Sequence, residues 1–196
     1  MYLRWAKSHN LTTELLSSTE GEVGIASAVL MVSGADAAQL LGKEDGIHKL
    51  CRVSPYDHQG RRHTSFALVE IYPMPNQEEV MVDEDEVRVD TFRGSGAGGQ
   101  HRNKTSSAVR LTHLPTGITA VCQSERSQYQ NRNNAWRILR ARIAAHLAPT
   151  PVINGEAAEV VKTYNLCGQA MVINHRLGTR YGNPKPVLNG QLELVW

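Results

Sequence analysis

Short apolar runs, each broken by glycine, proline or a polar cluster, dominate this chain. Residues 26–33 predict a strand stopped by Ser33-Gly34, and residues 47–53 and 64–72 predict two more. Residues 87–93 alternate, with Val87, Val89 and Thr91 on one side and Arg88 and Asp90 on the other, as a strand does. Residues 108–113 and 118–123 predict a hairpin across Leu114-Pro115-Thr116-Gly117, where proline second and glycine fourth fit a type I turn. Helical spacing occurs in residues 1–9, which begin without a capping residue, and in residues 35–41, closed by Gly42. The longest helix is expected over residues 131–147, with Trp136, Leu139, Ile143 and Leu147 on one stripe and Pro149 and Pro151 beyond it. Residues 157–166 and 170–173 are short elements whose type the pattern leaves open. Residues 181–186 read as a turn, and residues 187–196 as a short terminal element. The pattern thus predicts both strands and helices, interspersed along the chain.

Composition narrows the picture. The 196 residues allow one domain or two small ones, and 41% apolar residues suffice for a core. The net charge of +2 conceals an asymmetry: residues 93–142 hold nine bases against one acid, a net +8, which leaves −6 for the rest. So polarised a segment reads as a surface for a polyanion, most often nucleic acid; a solvated basic face is the alternative. The three cysteines, Cys51, Cys122 and Cys167, have neither metal-ligand nor redox spacing, which points to a reducing compartment. No long apolar run and no leader-like segment is visible, so a soluble, cytoplasmic protein is expected, with no membrane partner.

Two stretches carry candidate chemistry. The first is Gly94-Ser95-Gly96-Ala97-Gly98-Gly99-Gln100, followed by the basic run His101-Arg102-Asn103-Lys104. Glycine admits close approach to the main chain, and the loop lies between a strand and a basic segment; a plain surface turn stays open as a reading. The second is the loop expected over residues 54–63, which holds Tyr56, two histidines and two arginines. That content suits contact with single-stranded bases, and equally a polar surface loop. No G-x-S-x-G, H-E-x-x-H or Walker pattern occurs, and no metal or cofactor site is expected.

The run Gly96-Ala97-Gly98-Gly99-Gln100-His101, with Asn103-Lys104-Thr105 and Ser107-Ala108-Val109-Arg110, resembles the Gly-Gly-Gln domain of bacterial class I peptide chain release factors. Thr112-His113-Leu114-Pro115-Thr116-Gly117-Ile118 and Arg126-Ser127-Gln128 fit the same domain. Gly46-Ile47-His48-Lys49-Leu50, Ser54-Pro55-Tyr56-Asp57 and Gly60-Arg61-Arg62-His63-Thr64-Ser65-Phe66 are similar to the family's codon-recognition domain. Lys162-Thr163-Tyr164-Asn165-Leu166 and His175-Arg176 resemble the segment that packs back on it. Ser54-Pro55-Tyr56 is similar to the Ser-Pro-Phe tripeptide of the type that reads UGA and UAA.

The resemblance implies a fold and a division of labour. A codon-recognition body, a mixed sheet with helices, is expected from residues 1–86 with 153–196, and a small α+β Gly-Gly-Gln domain from residues 87–152. Ser54, Pro55, Tyr56, His63 and Thr64 are implied to read the stop codon. Gly98, Gly99 and Gln100 are implied to promote hydrolysis of the peptidyl-tRNA ester inside the ribosome, with water as nucleophile, and not as a free-standing hydrolase. Arg102, Lys104 and Arg110 are implied to hold rRNA, and Gln100 to be N-methylated by a glutamine methyltransferase. The implied partners are the ribosome through the rRNA of both subunits, the mRNA stop codon, peptidyl-tRNA and a release-factor GTPase, with the protein itself a monomer. The family's N-terminal helical domain and its Gly-x-x-Glu-Ala helix tip are not found in the sequence. Two alternatives stay open: a codon-independent rescue hydrolase, whose relatives share the Gly-Gly-Gln domain but against which residues 46–66 argue, and a truncated competitor of the host factor, which the missing N-terminal part allows.

Overall fold

The computed structural model describes residues 1–21, 24–74, 82–94, 105–147 and 159–196. In chain order the elements are α1 (Tyr2–Ser8), β1 (Thr12–Glu20), β2 (Ile25–Ser33), α2 (Ala37–Leu41), β3 (Gly46–Val53) and β4 (Arg62–Val69). Next come β5 (Val87–Phe92), β6 (Ala108–His113), β7 (Thr119–Cys122) and α3 (Gln128–Leu147). The last are β8 (Val160–Asn165), β9 (Met171–Asn174), β10 (Arg180–Tyr181) and α4 (Pro184–Leu188), with a 3-10 turn at Leu192–Val195. The α+β class expected from the sequence is the one observed. The chain forms two compact units, one from Met1–Thr13, Val32–Ile71 and Ile153–Trp196, the other from Glu14–Met31 and Tyr72–Val152.

The first unit is a five-stranded mixed sheet in the order β10-β9-β8-β3-β4. β3 runs parallel to β8 and antiparallel to β4, with Cys51 opposite both Asn165 and Thr64. Its apolar core joins Trp5 and Ala6 of α1 to Leu41, Tyr164, Val172, Val187, Leu192 and Val195. Gly190 has φ +110° and lies so close to α1 that a Cβ there would come within 2.6 Å of the Trp5 nitrogen, so this position requires glycine.

A polar cluster sits inside that core. Glu44, at the end of the 3-10 turn Gly42–Glu44, and Lys162 of β8 are both 0% exposed and form an ion pair. The Trp196 indole N–H donates to Glu44 Oε1, and the Tyr2 hydroxyl donates to Oε2 at 3.3 Å. Burial holds the His48 imidazole below its ordinary pKa, so the ring is neutral. Its Nε2–H donates to the Glu44 carbonyl at 2.8 Å, and its Nδ1 accepts from the Tyr164 hydroxyl at 3.2 Å. Burial likewise lowers the Lys162 ammonium pKa and raises those of the Tyr2 and Tyr164 hydroxyls, Glu44 adding to the rise in both tyrosines.

In the second unit the antiparallel sheet β5-β6-β7 carries α3 on one face. Val109 and Leu111 of β6 and Ala120 and Cys122 of β7 meet Ala135, Trp136, Ile138, Leu139 and Ile143, with Leu16 of the β1–β2 hairpin joining the same core.

Several expectations change in detail. β1 is not predicted by the apolar pattern, because Thr12–Glu20 is mostly hydroxyl and acidic residues, with only Leu15 and Leu16 apolar. The residues after α2 do not stop at Gly42, whose φ of −54° is ordinary helical backbone; the chain continues into a 3-10 turn. Leu147, assigned to the buried stripe of α3, is 67% exposed. The hairpin turn closes from Gly117 N–H to the carbonyl of His113 at 2.8 Å, one residue wider than a type I turn. The expected turn at residues 181–186 includes the start of α4, where Asn183 caps the Lys185 N–H at 3.1 Å and proline occupies the first helical turn.

Replacing Lys162 by methionine removes the cation and strands Glu44 in the core. Lys162→Met is expected to destabilise the fold by about 3–5 kcal/mol, read as a lower urea midpoint, and an unchanged midpoint would show that the pair does not hold the unit together.

Candidate functional site

The loop between β3 and β4 is built by its own polar groups. β4 begins at Arg62, so the loop is residues 54–61, and His63 and Thr64 belong to a strand, opposite Arg52 and Cys51. Successive strand residues point to opposite faces, which sends these two side chains to opposite sides of the sheet. The Ser54 hydroxyl accepts the Tyr56 N–H at 3.3 Å, and the Asp57 N–H reaches the Ser54 carbonyl at the same distance. Gly60, with φ +63°, donates to the Asp57 carbonyl at 3.0 Å and turns the chain back toward β4.

Asp57 is the centre of this loop. Its carboxylate accepts from Arg61 Nε at 2.8 Å, from His63 Nε2 at 2.7 Å and from the Gln59 N–H at 3.0 Å. These bonds, Arg61 first and His63 next, hold the carboxyl well below the usual carboxylate range. An ionised acceptor requires that His63 carry a proton on Nε2, so the ring is fixed in orientation while 48% of its side chain faces solvent. Tyr56 stands 64% exposed at the tip, beside exposed Pro55. Ser54, Pro55, Tyr56 and His63 are thus gathered on one short, braced loop and the strand end that follows, with Thr64 on the far face of that strand.

Gly98, Gly99, Gln100, Arg102 and Lys104 lie outside the described residues. What is described is the stretch that follows them. Asn131, fully buried in the first turns of α3, donates to the Ser107 carbonyl at 2.8 Å and to the Glu125 carbonyl at 2.9 Å, and accepts the Glu125 N–H at 3.0 Å. Gln128 donates to the Ser106 carbonyl at 3.1 Å. Two side-chain amides therefore anchor Ser106 and Ser107 to α3. Arg110 is exposed on β6, its guanidinium 5.4 Å from the Phe92 ring centre. On the opposite face of β5 and β6, next to α3, lies a cleft of about 200 Å³ lined by Val89, Thr91, Val109, Gln128, Tyr129 and Arg132. Among the described residues no cluster of three or more metal-ligating side chains occurs, and no helix is long and apolar enough to cross a membrane.

Residues 76–176 match the RF-1 domain family, and residues 1–69 match the PCRF domain family. The chain belongs to the RF-1 domain family of peptide chain release factors. It is 45% identical to a peptide chain release factor 2 of Caulobacter vibrioides, over 98% of this chain and 55% of that protein. A peptide chain release factor 2 of Thermomicrobium roseum gives the same identity and the same coverages. The solved structure of RF2 of Thermus thermophilus is 40% identical and superposes with a TM-score of 0.81, over 100% of this chain and 59% of that one. The chain spans a little over half the length of the curated relatives it matches.

Within the family match, the RF-1 domain segment contains the glycine-rich run and Arg110, and the PCRF segment contains the braced loop with His63 and Thr64. The roles of Asp57 and Asn131 were not read from the sequence. Asp57 had a local signal, a side chain able to cap an N–H two residues on, just before Gly60. Asn131 had none, because its partners are carbonyls brought to it by the fold.

Asp57→Ala should raise amide hydrogen exchange across residues 57–61 while leaving the β3–β8 ladder protected; an unchanged loop would mean that the backbone turn alone holds it. Asn131→Ala leaves the buried Ser107 carbonyl and the partly buried carbonyl and N–H of Glu125 without their side-chain partner, and should cost about 1–3 kcal/mol in a urea titration. A loss near zero would show that water replaces the amide.

Proposed function

We propose that this chain terminates translation: it reads UGA and UAA on the ribosome and promotes hydrolysis of the peptidyl-tRNA ester. The observation that carries the reading is the Gly98-Gly99-Gln100 motif inside a segment that matches the RF-1 domain family. The braced loop at residues 54–61 supports the codon-reading half. Ser54 would contact a codon base, Tyr56 would support the loop, and His63, held at Nε2 by Asp57, would present its ring face to a base, with Thr64 next to it in the chain and part of the same codon-reading set.

The chemistry is ester hydrolysis with water as the nucleophile. Gly98 and Gly99 would give the loop its path, and the Gln100 main-chain N–H would stabilise the oxygen charge that develops in the transition state. The Gln100 side chain would exclude nucleophiles other than water, and its amide nitrogen is the proposed target of a methyltransferase. Arg102, Lys104 and Arg110 would hold rRNA phosphates, which predicts binding that weakens as salt rises. The protein would act as a cytoplasmic monomer, with a release-factor GTPase as a further partner. The codon-reading body, expected at residues 1–86 with 153–196, would be the first unit, and the hydrolysis domain, expected at residues 87–152, would be the second, which also takes in Glu14–Met31 and residues 72–86.

Single-turnover release from purified ribosomes tests the proposal. Release is expected at UGA and UAA and poorly at UAG. Equal release at sense codons would move the protein to codon-independent rescue, and ribosome binding without release would make it a competitor. Gln100→Pro lacks the N–H and should lose about 10²–10³ in rate, whereas Gln100→Ala keeps the N–H and should retain much of the rate with water. A Gln100→Pro variant as fast as wild type would rule out the main-chain donor.

A further inference from the structure

Cys51 and Cys167 are 116 residues apart in the chain, and their sulfurs lie 3.9 Å apart in the fold. The topology explains the meeting. Cys51 on β3 pairs with Asn165 at the end of β8, and the next N–H, of Leu166, donates to the Cys51 carbonyl at 2.8 Å. The chain then turns toward β9, and Cys167 lies over Cys51 at the turn. Both thiols are free and half-buried, so a small oxidant can reach them. Cys122 differs: it is buried in the core of the other unit, with its sulfur 3.1 Å from the Leu16 carbonyl.

The position of Cys51 gives the pair a consequence. Thr64 is its cross-strand partner on β4, and the Thr64 hydroxyl donates to the Cys51 sulfur at 3.9 Å. A disulfide is about 2.05 Å long, so closing the bond draws the two sulfurs together by roughly 1.9 Å. That motion takes the Cys51 sulfur toward the turn after β8 and off the Thr64 hydroxyl.

We propose that Cys51 and Cys167 form a reversible disulfide under peroxide, and that its formation repositions Thr64 and weakens codon reading. One thiolate attacks the O–O bond of hydrogen peroxide, giving a sulfenic acid and, after protonation, water. The second thiolate attacks that sulfur, the S–S bond forms, the S–O bond breaks, and a second water leaves. The two sulfurs are oxidised and the peroxide is reduced. Exchange with a small dithiol reverses the bond. The effect on codon reading rests on the function proposed above; the pairing itself does not.

The test uses the full chain, treated with hydrogen peroxide and freed of oxidant by gel filtration. Digestion without reductant should yield the Cys51 peptide joined to the Cys167 peptide, lighter by two hydrogen atoms, with Cys122 still a thiol. Release at UGA should fall by about fivefold, the value of one hydrogen bond, and return after dithiothreitol. Cys167→Ser should release as wild type does when reduced, and keep that rate after peroxide. Cys51 and Cys167 left unlinked, as thiols or as separate sulfinic acids, would overturn the pairing. Linked peptides with unchanged release would overturn the coupling to Thr64. A reduced chain that releases nothing at any codon refutes the proposed function instead, and the linked peptide then decides the pairing alone.

Discussion

The first unit depends on one buried ion pair. Lys162 and Glu44 come from segments 118 residues apart and meet where neither touches water. Removing two charges from water costs several kcal/mol each, and attraction between them repays this only if their remaining polar groups are satisfied. Here Trp196 and Tyr2 both donate to the Glu44 carboxylate, and His48 ties down its carbonyl. The pair therefore fixes which segments lie together: α1, the turn after α2, β3, β8 and the last residue. An apolar core of the same volume could bury as much surface with a looser choice of partners. A charge that has one acceptable neighbour leaves no such choice.

The same logic, in a wetter setting, shapes the loop after β3. Asp57 gathers Arg61, His63 and the Gln59 N–H, so eight loop residues are ordered by their own polar groups with little apolar burial. A loop so braced holds its exposed side chains in place before any ligand arrives, and such preorganisation lowers the entropy lost on binding. In the second unit Asn131 plays the matching part, holding the Ser107 carbonyl and both main-chain polar groups of Glu125.

Much of this was legible in the sequence. The strands β6 and β7 and the helix α3 follow from apolar spacing, because each buries one regular face, and β3 and β5 also lie where their residue pattern puts them. The loop and glycine-rich motifs were legible from residue identity, and the family match covers both. The misses share a cause. β1 carries few apolar residues, and its strand state comes from pairing with β2. β4 starts two residues early because Arg62 and His63 pair with Val53 and Arg52, a preference set by the partner strand. Leu147 follows the apolar period of α3, yet it projects into solvent. Cys51 and Cys167 showed no meaningful spacing, since a parallel β3–β8 pairing and not their separation brings them together. Sequence pattern reports on local periodicity; it is silent on which distant segments meet.

The parallel pairing of β3 with β8 also sets an order of assembly. β5, β6, β7 and α3 are consecutive in the chain and joined by antiparallel, local contacts, which form quickly. β3 waits for a partner from the other side of that whole segment, and the Glu44 carboxylate waits for Lys162 and Trp196. During synthesis from the N-terminus, the glycine-rich unit can therefore close while the β3–β4 hairpin still lacks its central neighbour. A nascent chain stalled after α3 would carry one finished core, that of β5, β6, β7 and α3, and one unfinished sheet, that of the segment proposed for codon choice.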